Sequence, residues 1–119
     1  MKLSRGDVVL VSFPFSSGLA AKRRPAVVVQ ADFNNVQLAN TIVVMITTTT
    51  RRTHRAQTQL LVDPSSEDGR SSGLLHPSAI TCENLLTIAQ DRVARKIGQL
   101  SPALVVTLNS CLRAALALD

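Results

Sequence analysis

At 119 residues the chain has the length of one domain, and 13 Lys and Arg against 8 Asp and Glu give it a net charge of +5. Such an excess of cations favours polyanionic partners, nucleic acid above all. With no Trp, no Tyr and 3 Phe, a binder that stacks successive bases on aromatic platforms is disfavoured, so nucleic acid would be held through phosphates and base edges.

The opening "MKLSRGD" is basic, but the apolar stretch of a secretory signal does not follow it. No run approaches a membrane span, so a cytoplasmic protein without a membrane partner is expected. Val8 to Phe13 predicts a first strand, which Pro14 ends. "PFSSGLAAK", Pro14 to Lys22, has the composition of a flexible loop that would govern access to what comes next. That is the densest positive cluster, Lys22, Arg23 and Arg24, set directly before Pro25 and a second apolar run, Ala26 to Gln30. At the head of a strand the N–H that Pro25 lacks costs least.

Thr41 to Thr47 predicts a third strand, followed by the polar, basic "TTTTRRTHR". Gln59 to Val62 predicts a fourth, and Ser78 to Ile88 a longer fifth that bends in its middle. Between these two, Asp63 to Leu75 reads as a mobile surface loop. Asp91 to Ile97 is too short for periodicity to separate helix from strand. The end is clearer: Ser101 suits an N-cap, Pro102 the first helical position, and Leu104, Val105, Leu108, Leu112, Ala115 and Leu116 recur at helical spacing. A helix this apolar needs a sheet or a partner subunit to cover it. Short strands at this spacing imply a mainly β fold, a small, strongly bent antiparallel sheet or barrel with a C-terminal helix. Neither a linker nor a repeat divides residues 1–119, so a single domain is expected.

Familiar catalytic signatures are missing: there is no GxGxxG, P-loop, HExxH or GxSxG. His54 and His76 lack metal-ligand spacing to Cys or acidic residues, and Cys82 and Cys111 lie inside apolar runs as buried free thiols would. No metal or cofactor is expected. What remains are polar residues at strand ends: Arg23 and Arg24 before the second strand, Thr47 to Thr50 closing the third, then Arg51, Arg52, His54 and Arg55.

"RGDVVLVSFPF", "KRRPAVVVQAD", "NTIVVMIT", "GLLHPSAITCEN" and "GQLSPALVVTLNSCLRAAL" occur in an order that resembles the MazF/PemK family of toxin endoribonucleases, from Arg5 to Leu116. The resemblance implies an SH3-like β-barrel with a C-terminal helix, a homodimer, and metal-independent cleavage of single-stranded RNA at short sequences. It also implies a cognate antitoxin whose tail occupies the RNA site. The family's arginine before the strand-two proline falls on Arg24, and its strand-three threonine on Thr47. In such cleavage the neighbouring 2′-hydroxyl attacks phosphorus, leaving a 2′,3′-cyclic phosphate and a 5′-hydroxyl. A fixed guanidinium matches the charge gathering on the non-bridging oxygens, and a threonine hydroxyl can bond a phosphate oxygen or orient the nucleophile. An acid near the fifth strand is implicated as base in some relatives; here it is Glu83, for which a structural carboxylate is an equal alternative. Lys22 and Arg23 are phosphate-positioning or solubility residues. Thr48, Thr49, Arg51 and Arg52 are expected to line the RNA groove, with Asn84 beside Glu83. Many relatives read Q-x-R-T where this chain has Asn84, Leu85, Leu86 and Thr87, so the family's arginine there is replaced by Leu86. Two other readings remain open: a CcdB-like gyrase poison and a non-catalytic SH3-like binding module.

Overall fold

Val8 to Val11, Ala26 to Val28 and Val43 to Val44 lie in unbroken apolar runs because the centre of the sheet is buried on both faces. The computed structural model describes residues 1–13 and 22–119; the predicted access loop from Pro14 lies outside the described residues except for Lys22. Along the chain come β1 (Asp7–Phe13), β2 (Lys22–Val28), α1 (Asp32–Gln37), β3 (Asn40–Thr47), β4 (Gln59–Val62), β5 (Ser78–Ala89), β6 (Val93–Gln99) and α2 (Pro102–Leu116). Single 3₁₀ turns occupy Thr53–Arg55, Arg70–Ser72 and Gln90–Arg92. The strands form one antiparallel sheet in the order β4-β5-β3-β2-β1-β6, barrel-like but not closed. Neighbouring residues within a strand go to opposite cores. Val8, Val27 and Val44 join Leu108 and Cys111 of α2, whereas Val9, Val28 and Val43 pack with Leu3 and Val93.

This is the β fold with a C-terminal helix that the sequence implies. The Ser101 hydroxyl caps α2 by accepting the Leu104 N–H at 3.2 Å, and Pro102 opens the helix. The expected bend in β5 is a bulge: Val44 pairs with Leu85 but Met45 with Thr81, so Cys82, Glu83 and Asn84 are extra. The ambiguous Asp91–Ile97 segment resolves into the 3₁₀ turn and β6.

Three details differ from expectation. β2 begins at Lys22, so the three cations belong to the strand, and Pro25 lies inside it. The proline is tolerated because β3 pairing starts only at Ala26, leaving β1 as its single neighbour. Residues 63–75 are a fastened segment and not a loose loop. Asp63 accepts hydrogen bonds from the Ser65 N–H and hydroxyl, Ser66 donates to the Asp63 carbonyl, and the buried Ser72 donates to the Gly69 carbonyl. Finally, α1 carries no periodicity signal; its six residues owe their place to tertiary bonds. Beneath it, Gln30 donates to Asn35 and to the Asn40 carbonyl, Asn35 donates to the Gln30 carbonyl, and Thr41 donates to Asn35 at 2.7 Å. Gln90 closes the group by donating to the carbonyls of Asn35, Leu38 and Asn40.

No helix is long and apolar enough to cross a membrane among the described residues. Cys82 and Cys111 are free and buried, and burial pushes the Cys82 thiol up to about 12, with Cys111 beside it adding to the shift. Both should therefore resist thiol reagents in the folded protein.

Candidate functional site

β2 outruns β3. It pairs with β1 from Lys22 to Val27 but with β3 only over Ala26 to Val28. Continuing the β2–β3 register two residues brings Arg24 level with Thr47, the last residue of β3. The space left between the diverging strands is a groove of about 400 Å³, floored by Pro25, Met45 and Ile46. Lys22, Arg23 and Arg24 line it, together with the hydroxyl residues Thr47, Thr48, Ser78 and Thr81 and the amide of Asn84.

Four of these side chains, Thr47, Ser78, Thr81 and Asn84, make internal bonds. The Thr47 hydroxyl accepts the Thr49 N–H at 3.1 Å, which leaves its own proton free to donate. Thr81 donates to the Met45 carbonyl at 2.7 Å and accepts from Asn84 at 3.1 Å, so the β5 bulge aims Asn84 at the groove. No carboxylate is part of the described lining. Among the described residues the ion pair is Lys96–Asp7 at 3.0 Å, so no described carboxylate neutralises Lys22, Arg23 or Arg24. The cations, the Thr47 hydroxyl and the Asn84 amide are a donor set for an anion, whereas Ser78 and Thr81 give their protons to backbone carbonyls.

Of the residues singled out from sequence, the groove gathers Lys22, Arg23, Arg24, Thr47, Thr48 and Asn84. Thr49 contributes through its backbone. Arg51 and Arg52 are exposed on the turn beyond β3, outside the lining. Glu83 is also outside it, and accepts hydrogen bonds from the Thr58 hydroxyl at 2.8 Å and the Gln59 amide at 2.6 Å. Ser78 and Thr81 have no site role in the sequence reading because their place depends on β5 lying opposite Met45 and Thr47; two hydroxyls in an otherwise apolar strand start are the available signal.

A family model described as "PemK-like, MazF-like toxin of type II toxin-antitoxin system" matches residues 4–116. The chain belongs to this family. Among solved structures, a mycobacterial endoribonuclease in complex with its cognate antitoxin is 25% identical, with a TM-score of 0.77, over 98% of this chain and 97% of that one. The Mycobacterium tuberculosis toxin MazF-mt6 is 27% identical, with a TM-score of 0.71, over 93% and 98%. The MazE–MazF complex of Deinococcus radiodurans shares the fold at 13% identity and a TM-score of 0.79, over 100% of both chains. No curated protein matches the chain significantly.

In this PemK-like, MazF-like chain the "RGD" start is architectural. Arg5 donates to the Val29 carbonyl and to Asn109 of α2, Gly6 takes φ +94°, and the buried Asp7 meets Lys96. Glu83 has a comparable bond pattern. Burial pushes its carboxyl up, but the bonds from Gln59, its own backbone N–H and Thr58 together outweigh this and hold it below the ordinary 4.5. A carboxyl lowered in the folded state stabilises above its unfolded value, and that contribution disappears as pH falls through the folded value. Wild type should therefore melt above Glu83→Gln near neutral pH, and the gap should close as the pH falls below the ordinary carboxylate range. A gap independent of pH would show that the charge is not what these bonds use.

Proposed function

We propose that the chain is an endoribonuclease toxin that cuts single-stranded RNA without a metal and is held in check by a cognate antitoxin. The observation that carries this is the groove that gathers three cations, none neutralised by a described carboxylate, with the free Thr47 hydroxyl proton and the Asn84 amide. The names of the mycobacterial neighbours, endoribonuclease and antitoxin complex, agree with it.

In this reading a phosphodiester lies across the open end between β2 and β3. Its 2′-oxygen bonds to phosphorus and the bond to the 5′-oxygen breaks, giving a 2′,3′-cyclic phosphate and a 5′-hydroxyl. The 2′-hydroxyl proton leaves to solvent in the groove, and the departing 5′-oxygen takes one from it. Arg24 faces the charge that builds on the non-bridging oxygens, where a preorganised donor counts most. Thr47 donates its free proton to one of them. Lys22 and Arg23 hold flanking phosphates, with Arg51 and Arg52 steering the strand from the adjoining turn. Thr48 and Asn84 contact the substrate from the other wall. Of the two roles open to Glu83, its bonds to Thr58 and Gln59 favour the positioning one: it fastens the bulge that presents Asn84, and it lies outside the groove lining.

The assembly is a homodimer in this reading. Val106, Leu116 and Leu118 of the C-terminal segment are 50–66% exposed, an apolar surface that a second copy would cover.

The test is a mixed RNA pool incubated with purified protein in EDTA, with mapping of the new 5′ ends. Cuts at a short motif are expected, and hydrogen in place of the 2′-hydroxyl at the cut should abolish them. An intact pool after incubation with wild type, or cleavage that survives the 2′-deoxy substitution, would sink the mechanism.

A further inference from the structure

A second hollow, also of about 400 Å³, adjoins the groove and shares Pro25, Thr48 and Ser78 with it. Its floor is a strip running across three strands: Pro25 pairs with Leu10, and Leu10 pairs with Arg95 of β6. Arg95 therefore lies two strand spacings, about 10 Å, from Pro25 and its neighbour Arg24. Leu74, Leu75 and Ile97 complete the apolar walls, and His76 stands at the rim.

The wall formed by residues 73–76 is preformed. Gly73 has φ +74°, and a Cβ there would fall on the Ile97 carbonyl; a Cβ on Gly98 would fall on the Ser71 and Ser72 backbone. Ser71 adds a bond to the Gln99 carbonyl at 2.9 Å. From this clamped segment Leu75 projects with 87% of its surface exposed. Ser78 spends its proton on the His76 carbonyl, so its lone pairs stay free to accept. Arg95 makes no ion pair with a described carboxylate.

We propose that this hollow seats the base of the nucleotide beside the cleaved phosphate and selects it, with Leu75 and Arg95 as specificity-determining residues. The proposal rests on the ribonuclease reading above. A base has apolar faces and a polar edge, and the hollow matches both: leucine and isoleucine walls, with Thr48, Ser78, His76 and Arg95 at the polar rim. Apolar side chains grip a base where aromatic platforms are lacking. An aliphatic side chain from a peptide would use the walls and leave the rim donors idle. Sharing of Pro25, Thr48 and Ser78 makes the hollow the next position along a strand whose phosphate sits at Arg24.

Wild type, Leu75→Ala and Arg95→Ala are given the same mixed RNA pool, and base frequencies around every cut are compared. Both side chains are exposed, and melting curves check that the variants fold. Wild type should show a base preference at a position flanking the cut of roughly 5–100-fold. Each variant should flatten it at that one position and leave the other positions unchanged. An unchanged profile in both variants overturns the proposal, as does an even loss of cleavage at all sites with the profile intact. Loss of binding to purified cognate antitoxin with an unchanged RNA profile assigns the hollow to a protein instead. If wild type cuts nothing, the ribonuclease reading fails first, and this subsite falls with it.

Discussion

Replacing Arg24 by alanine should slow cleavage of a matched RNA by about 10²–10³-fold, the cost of removing one preorganised donor from a developing oxyanion. Stability should stay within about 0.5 kcal/mol of wild type, because Arg24 is exposed and makes no ion pair with a described carboxylate. Arg24→Lys keeps the charge but loses the planar fork that spans two oxygens, so it should recover only part of the rate. Single-turnover rates on one short RNA, with melting curves for both variants, measure this. A rate within twofold of wild type would remove Arg24 from the chemistry. If instead cleavage fell and growth inhibition persisted, the gyrase-poison reading would gain, since it needs no cation at this position.

The largest expected loss of stability comes from Gly73→Ala. Two costs combine there: the residue adopts φ +74°, and the added carbon meets the Ile97 carbonyl, a backbone atom that a rotamer change cannot move. Left-handed backbone alone costs an L side chain about 1–2 kcal/mol, and forcing 73–76 off β6 adds to it. We expect about 2–4 kcal/mol in total, read as a fall in Tm of roughly 10 °C or more. Gly6→Ala is the control: its φ is +94°, but the nearest atom to a new Cβ is a Val105 methyl at 3.7 Å, so it bears the backbone cost without the collision. Equal melting temperatures for the two variants would refute the close-approach argument.

Much of the fold was legible from residues 8–13, 41–47, 59–62 and 101–116, where apolar patterning, Pro102 and Ser101 all agree. α1 was not, because Asp32–Gln37 has no apolar stripe and is held by the Thr41 hydroxyl of β3 and the amides of Gln30 and Gln90. The clamped 63–75 segment departs from its expectation for a related reason. Its Ser, Gly and Asp residues have the composition of a loose loop, and only their mutual bonds and the approach to β6 make it rigid. For the site, the "RRP" and "IT" strand ends pointed to Arg24 and Thr47. The shared groove depends on β2 outrunning β3, a matter of register that no local pattern records. The places of Ser78, Thr81 and the hollow beyond them depend on pairing across three or more strands, which no local pattern records either.

The amide group under α1 bears on the groove although it sits at the opposite ends of β2 and β3. Gln30, Asn35, Asn40 and Thr41 tie the exit of β2 to the first residues of β3, so they index the two strands against each other. A slip of one residue would turn every side chain of β3 to the other face, carrying Thr47 away from Arg24 while leaving the strands formed. Asn35→Ala should thus show a kind of failure that melting alone does not reveal, with cleavage falling while far-ultraviolet circular dichroism keeps its β signature. Unaltered cleavage by that variant would mean the alignment is set elsewhere. Read this way, α1 and its amides act as a gauge block, setting at one end of the sheet the alignment used at the other.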